Sequence, residues 1–166
     1  MGGESTSMSP ASTIFPKAFL AIFWGGLACG ILDISQACIA AWYFRGARPG
    51  RVFQSVASGL LGPKSFQGGL STVLLGAGLH FFIAFVAAAV YYLASRKLTF
   101  LTTHFVLSGL LYGELVFIFM NFVVLPLSAI HRVPPFTPAL IITGPIGHLF
   151  LVGLPIALAV RRYSTT

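Results

Sequence analysis

Four apolar runs, at about 18–44, 70–95, 99–127 and 137–160, decide what this chain can become. Each is long enough for the roughly 20 helical residues that cross a bilayer. Nothing else in the sequence can cover them. Of 166 residues, 57% are hydrophobic and 8% are charged, against about 25% charged in a soluble domain. The expectation is an all-α integral membrane bundle: four transmembrane helices forming one domain over 17–162, preceded by a flexible polar tail over 1–16. The first run is too long for a signal-peptide core and contains Asp33, so it reads as a retained helix.

A net charge of +7 resembles a nucleic-acid signal, but the basic residues sit at the ends of the apolar runs, where lipid headgroups receive them. The bilayer is therefore the expected partner, and nucleic acid is not. One membrane face would carry Lys17, Arg96, Lys97, Arg161 and Arg162, and the other Arg45, Arg48, Arg51, Lys64 and Arg132. The count is a tie. The pairs Arg96-Lys97 and Arg161-Arg162 lie directly against helix ends and tip the reading towards cytoplasmic termini. Cys29 and Cys38, nine apart within the first run, cannot pair on a straight helix and lack zinc spacing. There is no phosphate-binding loop, nucleotide fingerprint or hydrolase elbow, which argues against an enzyme.

Between the first two runs, "VFQSVASGLLGP" repeats Phe53, Val56, Ala57, Leu60 and Leu61 at helical spacing, with Gln54, Ser55 and Ser58 among them. It is too short to span, so a short interfacial helix is expected in this loop. The loop at Arg96-Lys97-Leu98 is tight, and Pro134-Pro135 stiffen the last one. The halves also resemble one another. Gly26 and Gly30 recur as Gly109 and Gly113, each pair followed by an acid, and GxxxHxF occurs at 76–82 and 144–150. The pattern predicts two parallel hairpin repeats. The GxxxG pairs predict close helix contacts, and Pro145 and Pro155 predict bends in the fourth helix that free backbone carbonyls.

Four ionisable residues fall at one depth. Asp33 lies twelve residues before Arg45 and Glu114 twelve before Pro126, while His80 lies eleven after Gly69 and His148 eleven after Thr137. At about 1.5 Å per residue each group is roughly 16–18 Å from the same face, near mid-membrane. A lone Asp there costs about 2.5–3.5 kcal/mol, so partners are expected. Gln36 and Asn121 extend the same polar faces. Three readings follow. The four form two interhelical hydrogen bonds, Asp33 with His80 and Glu114 with His148; or they line a proton or ion pathway; or they hold a metal or a tetrapyrrole, with His80 and His148 as ligands. Asp33 and Glu114 stand at different offsets from their glycines, about 200° of helix rotation apart, so one of them can face another neighbour or a subunit contact. His104 reads as interfacial, His131 as solvated, and Trp42-Tyr43 and Tyr91-Tyr92 as membrane-belt aromatics.

The stretches "QSVASGLLGP" (54–63), "AVYYLA" (89–94) and "MNFVVLPLS" (120–128), with the spacing of Asp33, His80 and His148, resemble a group of small bacterial four-helix inner-membrane proteins. The resemblance implies a bacterial inner membrane and carries no activity. The function expected first is a non-catalytic membrane subunit or scaffold, as a homo-oligomer or within a larger complex. The alternatives are a proton-linked transporter component and a cofactor-binding membrane protein.

Overall fold

The computed structural model describes residues 10–131 and 137–164. Residues 1–9 of the expected tail, Arg132 and the Pro134-Pro135 loop lie outside the described residues. Among those described there is no strand. The helices are α1 (Pro10–Arg45), α2 (Pro49–Leu61), α3 (Gly69–Ser95), α4 (Phe100–Thr103), α5 (Phe105–Phe119), α6 (Leu125–Leu127), α7 (Pro138–Gly147) and α8 (Leu154–Ser164). A 3₁₀ turn over Gly62–Gln67 leads into α3. Four segments are long and apolar enough to cross a membrane: Lys17–Arg45, Gly69–Ser95, Phe105–Leu127 and Leu140–Ser164. The protein is an all-α, multi-pass membrane bundle. Because α1 begins at Pro10, residues 10–16 continue the first helix instead of belonging to a tail.

The spans pack antiparallel to their neighbours. The first meets the second where Gly26 faces Phe85 and Gly30 faces Phe81. It meets the fourth where Gly25 faces Ala159 and Gln36 reaches the Thr143 carbonyl at 3.2 Å. The third lies on the fourth through Gly109 and Gly113. Small residues let backbones approach where the surrounding lipid is as apolar as the protein, so dispersion between close chains does the holding. The core is correspondingly fine-grained: Ala21, Cys29, Ala84, Ala88, Ala157 and Val160 surround Tyr91 and Ile156.

Two expectations about helix continuity are corrected. The third span is broken at His104, whose φ of −108° and ψ of 45° leave the helical region. The hydroxyls of Thr102 and Thr103 bond the carbonyls of Thr99 and Phe100 and compete with the helix ladder just before the break. Further along, the third and fourth spans widen into π-turns over Met120–Val124 and His148–Gly153. There Leu125 N–H reaches back to Met120 O, and Leu154 N–H to Leu149 O. A proline follows each turn, Pro126 and Pro155. Its ring would strike the carbonyl four residues back, and the extra residue in the turn moves that carbonyl aside. Bends are expected at both Pro145 and Pro155; α7 runs on through Pro145 as α-helix, and the turn before Pro126 is not among the expectations.

The loop helix α2 is present, started by Pro49 in its first turn and stopped by Gly62 at φ +63°. Its buried side mixes apolar and polar residues. Val52, Gln54, Ala57 and Ser58 face the protein, while Leu60 and Leu61 are exposed. Gln54 Nε2 donates to the Gly69 carbonyl and to Thr72 Oγ1, both at 3.3 Å. The two bonds satisfy the buried Gln54 amide, which offsets its burial. The backbone of α2 rests directly on α3: a Cβ at Gly76 would overlap the Phe53 carbonyl. The far end of α2 is tied to the end of the third span by Ala129 N–H to Gly59 O, 2.9 Å.

Candidate functional site

The candidate site is the set of polar side chains at mid-membrane. His80, part-buried on α3, sends Nε2 to the Gly30 carbonyl of α1 at 2.9 Å. A carbonyl can only accept, so Nε2 carries the proton, and in the neutral ring Nδ1 is an acceptor. Asp33 stands one turn beyond Gly30 and two turns beyond Gly26, which returns it to the α3-facing side of α1. The first two hairpin helices thus bring Asp33 and His80 to the same turn. No hydrogen bond joins them; the ring has taken the backbone carbonyl instead.

The second hairpin differs. His148 Nδ1 donates at 2.9 Å to Gly144 O, one turn back on its own helix, and the ring lies edge-on to Phe117 at 5.2 Å. Asn121 likewise donates to the Phe117 carbonyl at 2.8 Å. Glu114 has no bond to His148, and its Oε2 is buried without a hydrogen-bond partner. The cause is angular. Gly113 faces the fourth span, and Tyr112 reaches α3 by donating to Ala87 O at 2.7 Å. Glu114 stands about 100° beyond the first and about 200° beyond the second, on the flank of α5 away from α3. Among the described residues, no group of three or more His, Cys, Asp or Glu side chains is placed to hold a metal ion.

The supporting residues divide in the same way. Gln36 belongs to the contact between the first and fourth spans, where its amide lies against Gly147. Asn121 is buried in its own span. Each glycine pair packs on the next span of its own hairpin: Gly26 and Gly30 on phenylalanine rings, Gly109 on the Ala157 Cβ and backbone, and Gly113 on backbone. A Cβ at Gly113 would overlap the His148 carbonyl, and one at Gly153 the Gly109 carbonyl. Gly153 did not figure among the candidate residues.

The tyrosines correct a further expectation. Trp42 and Tyr43 are exposed, as belt residues are, and His104 and His131 are exposed too. Tyr91 and Tyr92 are instead buried, at 1% and 6% exposure. Tyr91 donates to the Leu101 carbonyl at 2.9 Å, a carbonyl on the short helix that the break at His104 sets apart, and stacks edge-on with Tyr112 at 4.9 Å. The signal for Tyr112 was its place inside Gly109-Leu-Leu-Tyr-Gly113, where a large polar-tipped residue between two contact glycines must also meet a neighbour.

No family model, curated protein or solved structure matches this chain.

Proposed function

We propose that the protein is a non-catalytic membrane scaffold subunit, built as two parallel hairpin repeats and seated in a bacterial inner membrane with cytoplasmic termini. One observation supports it above the rest. Four polar side chains of the spans are each bonded to a separate backbone carbonyl, His80 to Gly30, His148 to Gly144, Tyr112 to Ala87 and Asn121 to Phe117. The His80 and Tyr112 bonds tie one helix to another, and the His148 and Asn121 bonds close within their own span, a pattern that suits a scaffold. Isolation from native membranes in mild detergent tests the reading. The expected result is stable co-purification with one larger assembly. Proton-coupled flux by the purified chain alone in proteoliposomes would overturn it.

Asp33 favours a second reading, that of a proton-linked transport component, because its carboxyl is unbonded beside the turn that holds His80. The two separate on one pair of variants. As a scaffold residue with no bond to lose, Asp33 should be replaceable by Leu at a cost within about 1 kcal/mol or with a gain, since a polar group leaves an apolar layer. Asp33→Asn should be equally neutral. Thermal stability in detergent, read beside complex formation, checks both. Loss of transport in folded Asp33→Asn would establish the pathway instead.

A further inference from the structure

Four cations crowd the link between the first two spans. Arg45 ends α1, Arg48 and Arg51 flank the start of α2, and Lys64 lies in the 3₁₀ turn; all four are exposed. Backbone bonds fix the corner that gathers the first three. Gly46, at φ +61°, sends its N–H to Trp42 O, Ala47 N–H reaches Ala41 O, and α2 begins at Pro49. Arg51 is held by its bond to the Phe66 carbonyl at 3.3 Å and lies over the Phe66 ring at 5.2 Å. The side chains of Arg45, Arg48 and Lys64 have no hydrogen bond or ion pair among the described residues. Nor does the sequence supply one. Its three carboxylates are Asp33 and Glu114, on the spans, and Glu4, which precedes the helix whose far end Arg45 marks. The cations at the other membrane face differ: Arg161 lies over the Phe105 ring at 4.2 Å, and both it and Arg162 have further partners in the chain.

We propose that this link is a docking surface for anionic phospholipid headgroups. Location selects the lipid over a soluble polyanion. Arg45 is the last residue of one span and Gly69 the first of the next, so the link is tethered at the headgroup layer. Exposed Leu60, Leu61, Phe66 and Leu70 interleave with the cations along the chain. A lipid offers acyl chain to these and phosphate to the guanidinium groups, whereas a nucleic acid or an acidic protein would leave the leucines in water. Arginine grips a phosphate through two parallel N–H bonds. A headgroup with net negative charge gains most, because the ammonium of a zwitterionic one already neutralises its phosphate. Each cation beside an anionic surface is worth about a fivefold gain in occupancy. The surface is independent of whether the protein also docks on a larger assembly.

The chain carries its own reporters in its two tryptophans. Trp42 is exposed one turn before Arg45, and Trp24 is exposed seven residues after Lys17, towards the other face. Full-length Trp24→Phe protein, in vesicles of phosphatidylglycerol and phosphatidylcholine with one or the other brominated, reports lipid at the link by quenching of Trp42. Trp42→Phe reports the other face. Trp42 is expected to favour phosphatidylglycerol about tenfold or more at low salt, to lose most of that preference in molar salt, and to exceed Trp24 in it clearly. Arg45→Gln, Arg48→Gln and Lys64→Gln combined break no bond of the chain. Together they should abolish the preference at Trp42 and leave Trp24 unchanged. Equal quenching of Trp42 by the two lipids overturns the proposal, as does a preference that survives the triple variant or that Trp24 matches. So does binding of a DNA oligonucleotide to wild type and not to the triple variant, where Trp42 shows no lipid preference. If the triple variant does not fold, the comparison of Trp42 with Trp24, which keeps every cation, decides.

Discussion

Gly153→Ala should be among the most destabilising single-methyl changes in this protein. A Cβ there would overlap the Gly109 carbonyl and stand 2.8 Å from Gly113 Cα, all of it backbone. No side chain can rotate away, so α5 and the fourth span must separate, and dispersion contacts along the pair go with them. A cost of about 3 kcal/mol or more is expected, at the upper end for overpacking. Gly113→Ala should follow closely, because its Cβ would overlap the His148 carbonyl. Gly26→Ala should cost less, since the atoms it meets first belong to the Phe85 ring. Gly78→Ala faces open space and should be neutral or slightly stabilising. The unfolded fraction during titration with a denaturing detergent measures the order. Equal effects at Gly153 and Gly78 would show that the backbone contact carries no stability.

The second large effect is expected at Gly76. Its Cβ would overlap the Phe53 carbonyl, so Gly76→Ala must lift α2 from α3. Lifting it breaks the bonds from Gln54 to Gly69 and Thr72 and leaves a buried amide without those partners. The overpacking and the orphaned amide together should cost about 2–5 kcal/mol of the loop's attachment. The bundle beneath has its own glycine contacts and should stay folded. Ala57, fully buried under α2, provides the readout. Ala57→Cys should resist maleimide in the parent, free of Cys29 and Cys38, and react readily once Gly76→Ala is added. Equal protection in both would mean that α2 does not depend on this contact.

How much of this was legible beforehand depends on which forces act locally. The four spans follow from run length and the near absence of charge, properties of single segments. The existence of α2 was legible from periodicity, but its facing was not. Apolar spacing marks a stripe without saying which side meets protein, and only the Gln54 bonds to Gly69 and Thr72 fix that. Depth was countable for Asp33, His80, Glu114 and His148; direction was not. Two residues of difference between Asp33 and Glu114 in their distance from the paired glycines turn a carboxyl away from its partner, and whether they do depends on the crossing of the helices. The π-turns had a visible cause in Pro126 and Pro155. The strength of that cause depends on how tightly Gly113 and Gly153 pin the widened turn, which is a property of the pair and not of either helix.

The meeting of α1 with the fourth span has a consequence for assembly during synthesis. Gly25 waits for Ala159, and Gln36 for the Thr143 carbonyl, partners more than a hundred residues later in the chain. The first helix therefore enters the bilayer with that side uncovered and stays so until the last helix has left the ribosome. Closing the core is a late, long-range event of the kind that slows folding and exposes intermediates to wrong partners. Chains truncated before residue 138 should insert and yet remain open along α1, as substrates for membrane quality control.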